Sequence, residues 1–470
     1  MTSYDFPYGF IWGSATSALQ IEGANGEGGR TPSHWEVFCT EQPDRIVGRA
    51  TPQQACDHYN RMEQDVATMR DLGHNGYRLS LSWPRLVPHR DGKLNPEGIR
   101  FYNRLFDTLI SNGIEPNVTL YHWDLPQWLA EKGGWENPDT ITEFVAYAEA
   151  CFRLFGDRVK RWVTLSEPGC ITLNGYATGL HPPGKKNFAT AIQVAHNYVV
   201  AHAKAVSRFR SICPQGQIGL VLNMSPFYPY SESDADQQAA LLADGLLNRW
   251  FLEPALSGDY PQDMVTFYRD VDILPHMEPH DLDDIASSQI DFVGVNYHYP
   301  RYVRAGAEKT DSSSGSLCRD GTFNFFSVKN LFRIQGSKPG SLSLDMEPEA
   351  LTELLNRIHQ LAPGMPVYIT ENGIGREEEL TPCGTVDDEH RIDYIKSHLK
   401  AVHSAIDRGI NIRGYYMWSL MDGFSWLDGY SKRYGFLYVD RDTMERHKKK
   451  SAYWFAEVAS NNGFTDYKPE

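Results

Sequence analysis

The chain has 470 residues, of which 41% are hydrophobic and 12% aromatic, and it carries a formal net charge of −15. This apolar content supplies one large core and excludes a chain that is disordered throughout, because the fraction of surface buried on folding rises with chain length. The negative charge argues against a nucleic-acid or anionic-membrane partner, since both are bound through a basic face. A neutral small-molecule substrate fits this charge better.

The seven cysteines are odd in number and scattered, and they show neither a CxxC pair nor the cysteine–histidine pairing of a zinc site. This pattern is typical of reduced thiols in a cytosolic protein, and it indicates neither a disulfide framework nor a zinc site. The N-terminal MTSYDFPYGF has no basic and apolar signal segment, and no stretch of about 18 apolar residues occurs in the sequence. We therefore expect a cytoplasmic protein without a membrane span, and the sequence leaves its oligomeric state open.

Short apolar or β-branched runs alternate with longer helical patterns, which predicts βα units and a parallel sheet. Eight such runs occur, and eight strands close a TIM barrel. In chain order the runs are 10–16, 76–83, 115–123, 161–167, 217–224, 291–298, 366–371 and 412–420. We predict an α/β fold in which residues 1–470 form a single (β/α)8 TIM-barrel domain, with no internal repeat and no interdomain linker.

Amphipathic helical patterns separate these runs. In 388–409 apolar residues recur at a spacing of three and four and form one stripe, which ends at Gly409. Similar patterns cover 55–72, 96–112, 138–155, 188–209 and 236–256.

Segment 305–345 has a different composition, with DSSSGS, several glycines and no sustained period. We predict a long loop between the sixth and seventh strands. A disordered surface insertion and a lid over the site both fit this composition. The phenylalanines at 323, 325, 326 and 332 favour a segment that packs against another surface of the protein.

Two predicted strands end in glutamate, Glu167 in RWVTLSEP and Glu371 in VYITENG. Catalytic residues of a barrel lie at the C-terminal ends of its strands, so we expect both carboxylates at the same mouth. A carboxylate pair about 5–5.5 Å apart carries out retaining glycoside hydrolysis, in which one attacks the anomeric carbon and the other donates and recovers a proton. The alternative is that each glutamate caps a helix or pairs with an arginine.

The other strand ends carry amides, an imidazole, an arginine and indoles. Such side chains suit a sugar site, because hydroxyls need paired donors and acceptors while the apolar face of the ring stacks on aromatics. These residues are Gln20, Arg78, His122, Trp123, Asn296 and Trp418.

Seven stretches of the sequence together resemble glycoside hydrolase family 1, the β-glucosidase family, over nearly the whole chain. They are FIWGSATSALQIEG, CDHYNRMEQDVATMRDLG, YRLSLSWPR, GIEPNVTLYHWDLPQWL, NRWFLEPALSGDYP, YITENG and YYMWSLMDGFSWLDGYSKRYGFLYVD. The resemblance implies a TIM barrel, retention of configuration, and no metal or organic cofactor.

The resemblance also implies roles for single positions. Glu371 would be the nucleophile and Glu167 the general acid/base, with Arg78 and Asn296 beside the nucleophile. An arginine there would hold Glu371 ionised, because an opposite charge within a few ångström lowers the pKa of an acid. The implied sugar contacts are Gln20, His122, Trp418 and Trp426, together with Trp123 in the intact YHWDLP.

Four positions in or near the pocket depart from the family pattern. Ser166 replaces an asparagine that contacts the 2-hydroxyl, and Gly169 stands where bulkier residues are common. His298 replaces a tyrosine that hydrogen-bonds the nucleophile, with Tyr299 as a partial substitute, and Ser425 replaces a glutamate that binds the 4- and 6-hydroxyls. A pocket retuned for another glycone, transfer to an acceptor in place of hydrolysis, and engineering are three explanations that stay open.

Ser425 also supports the main alternative, a 6-phospho-β-glucosidase. That branch of the family has serine at this position and binds the phosphate with a lysine and a tyrosine, which Lys432 and Tyr434 would match. Trp123 and Trp426 favour the unphosphorylated branch, in which a lysine and an aromatic are also common. A sugar-binding protein without turnover is a third hypothesis, and the intact pair of glutamates argues against it. We expect a retaining β-glucosidase that hydrolyses or transglycosylates terminal non-reducing β-D-glucosides by double displacement.

Overall fold

The computed structural model describes residues 2–306, 323–324, 332–335, 347–382 and 384–466. Eight parallel strands close into a barrel. In chain order they are β1 (Ile11–Ala15), β2 (Gly76–Ser80), β3 (Glu115–Tyr121), β4 (Arg161–Ser166), β5 (Gln217–Asn223), β6 (Phe292–Asn296), β7 (Val367–Asn372) and β8 (Ile412–Trp418). Each strand pairs with the next along the chain, and β8 pairs with β1. The predicted α/β fold, a (β/α)8 TIM barrel, is confirmed. Each predicted run overlaps one strand, and β7 extends one residue past its run.

Helices surround the barrel and bury one face against it. In Pro96–Ser111, Phe101, Leu105 and Leu109 are buried on one side, and the Asn95 side chain caps the first turn. The longer helices are His34–Glu41, His58–Asp71, Pro96–Ser111, Asp139–Phe155, Phe188–Ile212, Asp234–Asp244, Trp250–Ser257, Gln262–Asp270, Pro348–Leu361, Glu389–Asp407 and Lys450–Asn461. The shorter ones include Ala18–Ile21, Trp83–Leu86, Gln127–Ala130, Pro168–Ile171 and Asp281–Ser287.

One predicted helix differs from the structure in form. The run 236–256 is divided by a π-helical turn, Gly245–Arg249, between two α-helices. No helix in the described ranges is both long enough and apolar enough to cross a bilayer.

Small antiparallel pairs join distant parts of the chain outside the barrel. Thr2–Asp5 pairs with Gly463–Asp466, and Leu437–Val439 pairs with Arg446–Lys448. The pairing of Thr2–Asp5 with Gly463–Asp466 holds the two ends of the described chain together.

A four-stranded sheet outside the barrel includes parts of the segment 305–345, for which the sequence predicts a loop. Its strands are Phe323–Asn324, Phe332–Gln335, Arg301–Ala305 and Phe227–Pro229. The loop prediction is therefore wrong for Phe323–Asn324 and Phe332–Gln335, because strands of two to four mixed polar and apolar residues give no period that a sequence pattern detects. The rest of the segment, and with it the choice between a lid and a surface insertion, lies outside the described residues.

The inside of the barrel is filled with side chains. Six residues from six strands form a buried cluster, and the Arg161 guanidinium lies 4.6 Å from the centre of the Tyr368 ring. The cluster comprises Ala15, Val163, Val221, Phe292, Tyr368 and Tyr416. This packing is typical of the fold, in which polar strand ends face a mouth at the C-terminal side.

Candidate active site

Glu371 lies near the C-terminal end of β7, and Arg78 reaches it from β2. Glu371 is 4% exposed and Arg78 is fully buried. One guanidinium nitrogen of Arg78 donates to Glu371 Oε1, and Nη2 donates to the Ser166 hydroxyl over 2.8 Å. The guanidinium therefore connects the Glu371 carboxyl to β4, the strand that leads into Glu167.

Glu167 directly follows β4 and is 6% exposed. Its backbone is left-handed, with φ 55° and ψ 54°, a conformation that is uncommon for a residue other than glycine and that is enriched at functional sites. Asn296 Nδ2 donates to Glu167 Oε1 over 2.7 Å, and the Thr370 hydroxyl donates to Asn296 Oδ1 over 2.7 Å. Because Asn296 is the strand partner of Glu371, the amide that holds one glutamate lies beside the other.

The electrostatics of Glu371 combine opposing effects. Burial, and to a lesser extent the charge of Glu167, raise the pKa of Glu371 to about 8 against the lowering by Arg78. The lowering that we expected from Arg78 is present, but burial outweighs it. The ionisation of this carboxyl therefore takes place nearer to neutral pH than that of an ordinary glutamate.

Aromatic rings line the mouth beside the two glutamates. Trp123 and Trp426 are stacked with ring centroids 4.4 Å apart, and the His122 and Trp418 rings have centroids 6.0 Å apart and planes inclined by 27°. Trp123 Nε1 donates to the Ser166 carbonyl over 3.0 Å, which holds the indole against the end of β4. Flat faces of this kind stack on the apolar face of a sugar ring.

His122 supplies a neutral imidazole to this aromatic wall. Burial, and to a lesser extent the charge of Arg78, holds the pKa of His122 well below its ordinary value. Its buried Nδ1 has no hydrogen-bond partner in the described part of the chain. Because an unpaired buried polar atom is costly, a substrate hydroxyl is a suitable partner for it.

Gln20 and Ser425 lie near the β1 and β8 side of the mouth, where they line a small pocket with Trp418. The Ser17 hydroxyl donates to Gln20 Oε1 over 2.5 Å, and Gln20 Nε2 donates to the Phe424 carbonyl over 2.7 Å. These bonds fix the amide and leave one N–H for a ligand. Ser425 is half-buried, and its shorter side chain offers a single hydroxyl where a glutamate would offer two oxygens.

His298 follows β6 at the same mouth. Its Nδ1 lies 3.0 Å from the Gly373 carbonyl, directly after the β7 strand that carries Glu371. The Tyr299 ring packs against the Arg301 guanidinium, 4.4 Å from the ring centre. The two residues that we considered for the missing tyrosine therefore have other partners.

Gly169 is explained by the close approach of a neighbouring helix. A Cβ at this position would lie 3.2 Å from the Leu247 carbonyl oxygen and 3.3 Å from the Phe251 ring. A larger residue therefore requires these neighbours to move.

Three further residues of the site were not predicted from the sequence. Thr370 is a fully buried hydroxyl inside an apolar strand, and that contrast was a usable signal. The ring centroids of Trp35 and Trp426 are 4.7 Å apart, and those of His181 and Trp123 are 5.5 Å apart. Both come from outside the barrel strands, so the strand-end pattern could not identify them.

Comparisons with known proteins agree with this geometry. The model of glycosyl hydrolase family 1 matches residues 2–464. Beta-glucosidase A of Acetivibrio thermocellus is 41% identical over 99% of this chain and 100% of its own length. The 6-phospho-beta-glucosidase GmuD of Bacillus subtilis is 37% identical over 98% of this chain and 99% of its own length.

A solved structure is similar over the same extent. The family 1 b-glucosidase from Thermotoga maritima has a TM-score of 0.88 and 38% identity, covering 99% of this chain and 100% of that chain. The resemblance predicted from the seven motifs is confirmed. The chain belongs to glycosyl hydrolase family 1 and is a glycoside hydrolase.

Proposed function

We propose that this chain is a retaining β-glucosidase that hydrolyses terminal non-reducing β-D-glucosides, or transfers the glucosyl group to an acceptor, by double displacement. The observation that carries the proposal is the unequal support of the two carboxyls. Arg78 donates to Glu371, whereas the neutral amide of Asn296 donates to Glu167. The cation favours the ionised form of Glu371 against the burial that raises the pKa of this carboxyl, whereas Asn296 brings no charge to Glu167. We therefore assign Glu371 as the nucleophile and Glu167 as the acid.

In the first step Glu371 attacks the anomeric carbon while Glu167 gives its proton to the glycosidic oxygen, and the aglycone leaves as an alcohol. The new ester removes the negative charge of Glu371. Without that neighbouring negative charge the ionised form of Glu167 is favoured, so Glu167 can act as a base. In the second step it takes a proton from water or from an acceptor hydroxyl, whose oxygen displaces Glu371.

We assign the glycone contacts to Trp418 and Trp426 as ring faces, to His122 as a neutral imidazole and to Gln20 as an N–H donor. The same geometry supports this assignment. Two relatives named Beta-glucosidase A are 41% and 38% identical over 99% and 98% of this chain, which supports glucose as the glycone.

The alternative substrate is a 6-phosphoglucoside, and Ser425 and the similarity to GmuD favour it. Lys432 Nζ, however, lies 3.5 Å from the Asp428 carboxylate. That carboxylate would repel a phosphate placed on Lys432. We therefore favour the unphosphorylated substrate, and an aryl β-glucoside assayed beside its 6-phosphate tests the choice directly.

The test of the catalytic assignment is covalent trapping. Incubation with an activated 2-deoxy-2-fluoro glucoside should label Glu371, as read by peptide mass spectrometry, and Glu371→Ala should be inactive and unlabelled. A label on another residue, or inversion of configuration in the product, would contradict the assignment.

We further propose that residues 1–470 form one catalytic domain and that the protein acts in the cytoplasm. The family match over residues 2–464 supports the first statement. The five cysteines within the described ranges are free, which supports a reducing compartment.

A further inference from the structure

Four buried polar side chains meet inside the barrel, on strands β2, β3 and β8. They are Arg78, Asn117, Thr119 and Tyr416, and each is 0% exposed. Five of their atoms have no hydrogen-bond partner in the described part of the chain, namely Arg78 Nε, both amide atoms of Asn117, Thr119 Oγ1 and the Tyr416 hydroxyl oxygen. Because a buried polar atom without a partner costs free energy, this group of atoms points to a polar ligand.

The strand pairing shows that Asn117 and Thr119 face the inside of the barrel beside Arg78. Thr119 pairs with Val163, which belongs to the buried cluster inside the barrel. Asn117 is two residues earlier on β3 and therefore faces the same side. Arg78 pairs with Asn117 on one side and with Ala15 of the same cluster on the other.

The Arg78 guanidinium extends across the inner face of β3. Its Nη2 donates to the Ser166 hydroxyl at the end of β4 over 2.8 Å, and β3 lies between β2 and β4 in the barrel. Nε and Nη2 lie on one edge of the planar guanidinium. The unpaired Nε–H therefore points toward β3, where Asn117 and Thr119 stand.

The Tyr416 hydroxyl reaches the same place from β8. It lies 3.2 Å from the position that a Cβ of Gly76 would take, and Gly76 precedes Arg78 by two residues on β2. Burial raises the pKa of Tyr416 to about 12, while Arg161 and, to a smaller extent, the nearby Asn117 amide lower it. The amide and the hydroxyl are thus close, but they do not meet with the geometry of a hydrogen bond.

Water is the ligand that suits this mixture of donors and acceptors. A water molecule can accept from Arg78 Nε, donate to Asn117 Oδ1 and bond to a hydroxyl, and buried waters typically make about three such bonds. We propose that ordered water binds inside the barrel between Arg78 and Asn117, and that Asn117 is a positioning residue that holds Arg78 against Glu371 through this water. The effect on activity rests on the proposed function.

The water gives the guanidinium a third point of support, in addition to Glu371 and Ser166. Without the amide of Asn117 this support is lost, so Arg78 moves more freely and favours the ionised form of Glu371 less. The charged and titratable groups around the carboxyl are Arg78 from β2, His122 after β3, Glu167 and Cys170 after β4, and His298 after β6. Asn117 carries no charge, and Arg78 is its strand partner among them.

The pH profile of kcat/KM with an activated aryl β-glucoside tests the positioning role. Asn117→Val and Asn117→Thr have nearly the same shape and differ in a hydroxyl. In Asn117→Val the acid side of the profile should move up by about half a pH unit, and kcat/KM at pH 7 should fall about threefold, because part of the lowering by Arg78 is lost. In Asn117→Thr the hydroxyl keeps the water, and the profile should stay at its native position.

Val118→Thr is the control for a polar substitution in the same strand. Val118 is fully buried and next to Asn117, so it faces the helices outside the barrel. This variant should leave the pH profile unchanged.

A crystal structure of the native enzyme tests the water itself. It should show a water within about 3 Å of both Arg78 Nε and an amide atom of Asn117, and Asn117→Val should lack it. A native interior without this water, or a direct hydrogen bond between Arg78 and Asn117, overturns the inference even if Asn117→Val does not fold.

The remaining outcomes separate this inference from the proposed function. If Asn117→Val keeps the native profile, or Asn117→Thr moves it equally, Asn117 does not position Arg78, and the proposed function stands. If the native enzyme does not hydrolyse the aryl β-glucoside, the proposed function fails and the positioning role fails with it, while the crystal structure still decides the water site.

Discussion

Replacing Arg78 by methionine removes the cation beside Glu371 and keeps an unbranched side chain in its place. The side chain of Arg78 is 0% exposed and that of Glu371 is 5% exposed, so bulk water does not replace the lost charge. An opposite charge in contact lowers the pKa of a carboxyl by about 1–3 units, which corresponds to about 1.4–4 kcal/mol. Arg78→Met should therefore raise the pKa of Glu371 by that range.

The consequence for activity follows from the charge that the nucleophile needs. Glu371 must be ionised to attack, so kcat/KM falls as the pH drops through its pKa. Burial already raises that pKa to about 8, and the acid limb of the native profile should lie above the ordinary range of glutamate. In Arg78→Met the limb should move to still higher pH, and kcat/KM at pH 7 should fall about 10- to 1000-fold from ionisation alone.

The assay is the pH profile of kcat/KM with an activated aryl β-glucoside, and Arg85→Met is its control. Arg85 is also fully buried, and its Nε lies 2.9 Å from Glu22 Oε2, so this variant breaks a comparable ion pair. Each change should lower the free energy of unfolding by about 3–5 kcal/mol, measured by denaturant titration. Only Arg78→Met should move the acid limb, and an unmoved limb, or equal movement in both variants, would refute the reasoning.

Glu167→Ala should slow glucosides with poor leaving groups far more than activated aryl glucosides, and azide should restore turnover of the activated ones; equal losses would contradict its role as the acid. The native enzyme should hydrolyse glucosides, fucosides and galactosides within about tenfold of one another, or about 1.4 kcal/mol, because Ser166 and Ser425 leave hydroxyls without their usual partners. Ser166→Asn combined with Ser425→Glu should raise the glucoside rate and widen those ratios. A native preference for glucoside by orders of magnitude, or for a 6-phosphoglycoside, would show that other donors serve these hydroxyls.

The barrel strands were predictable because each is an apolar run covered on both faces, which leaves a strong local pattern. The ends of the runs agree less well with the ends of the strands. The run 115–123 extends past β3 to Trp123, whose φ of 73° takes it out of the strand. The strand Arg301–Ala305 was missed, since its tyrosine and valine stand between arginines and its partner Phe332–Gln335 is remote in sequence.

The positions of Glu167 and Glu371 at one mouth follow from the strands they end, so the sequence predicts them. The bonds that tune them do not follow from the sequence, because the partners are distant along the chain. Arg78 and Ser166 are 88 positions apart and Asn296 and Glu167 are 129 apart. The balance between burial and Arg78 on the pKa of Glu371 depends on the packed environment, which no motif reports.

The structure gives Ser166, one of the four departures from the family pattern, a role that the sequence does not indicate. From the sequence, serine loses a contact to the 2-hydroxyl. In the structure its hydroxyl oxygen accepts from Arg78 Nη2, and its carbonyl accepts from Trp123. Ser166 therefore supports the cation that contacts Glu371.

Ser166→Ala separates these two roles. It leaves a buried N–H of Arg78 unpaired, so the free energy of unfolding should fall by about 1–3 kcal/mol. The charge of Arg78 stays in place, so the acid limb should move less than in Arg78→Met. If Ser166 acts on Arg78 and not on the sugar, the ratio of kcat/KM for an aryl glucoside to that for its 2-deoxy analogue should equal the native ratio, because neither enzyme then has a partner for the 2-hydroxyl at this position. A lower ratio in Ser166→Ala would mean that the serine O–H donates to the 2-hydroxyl while its oxygen accepts from Arg78, and the expected loss of discrimination among glycones would then rest on Ser425 alone.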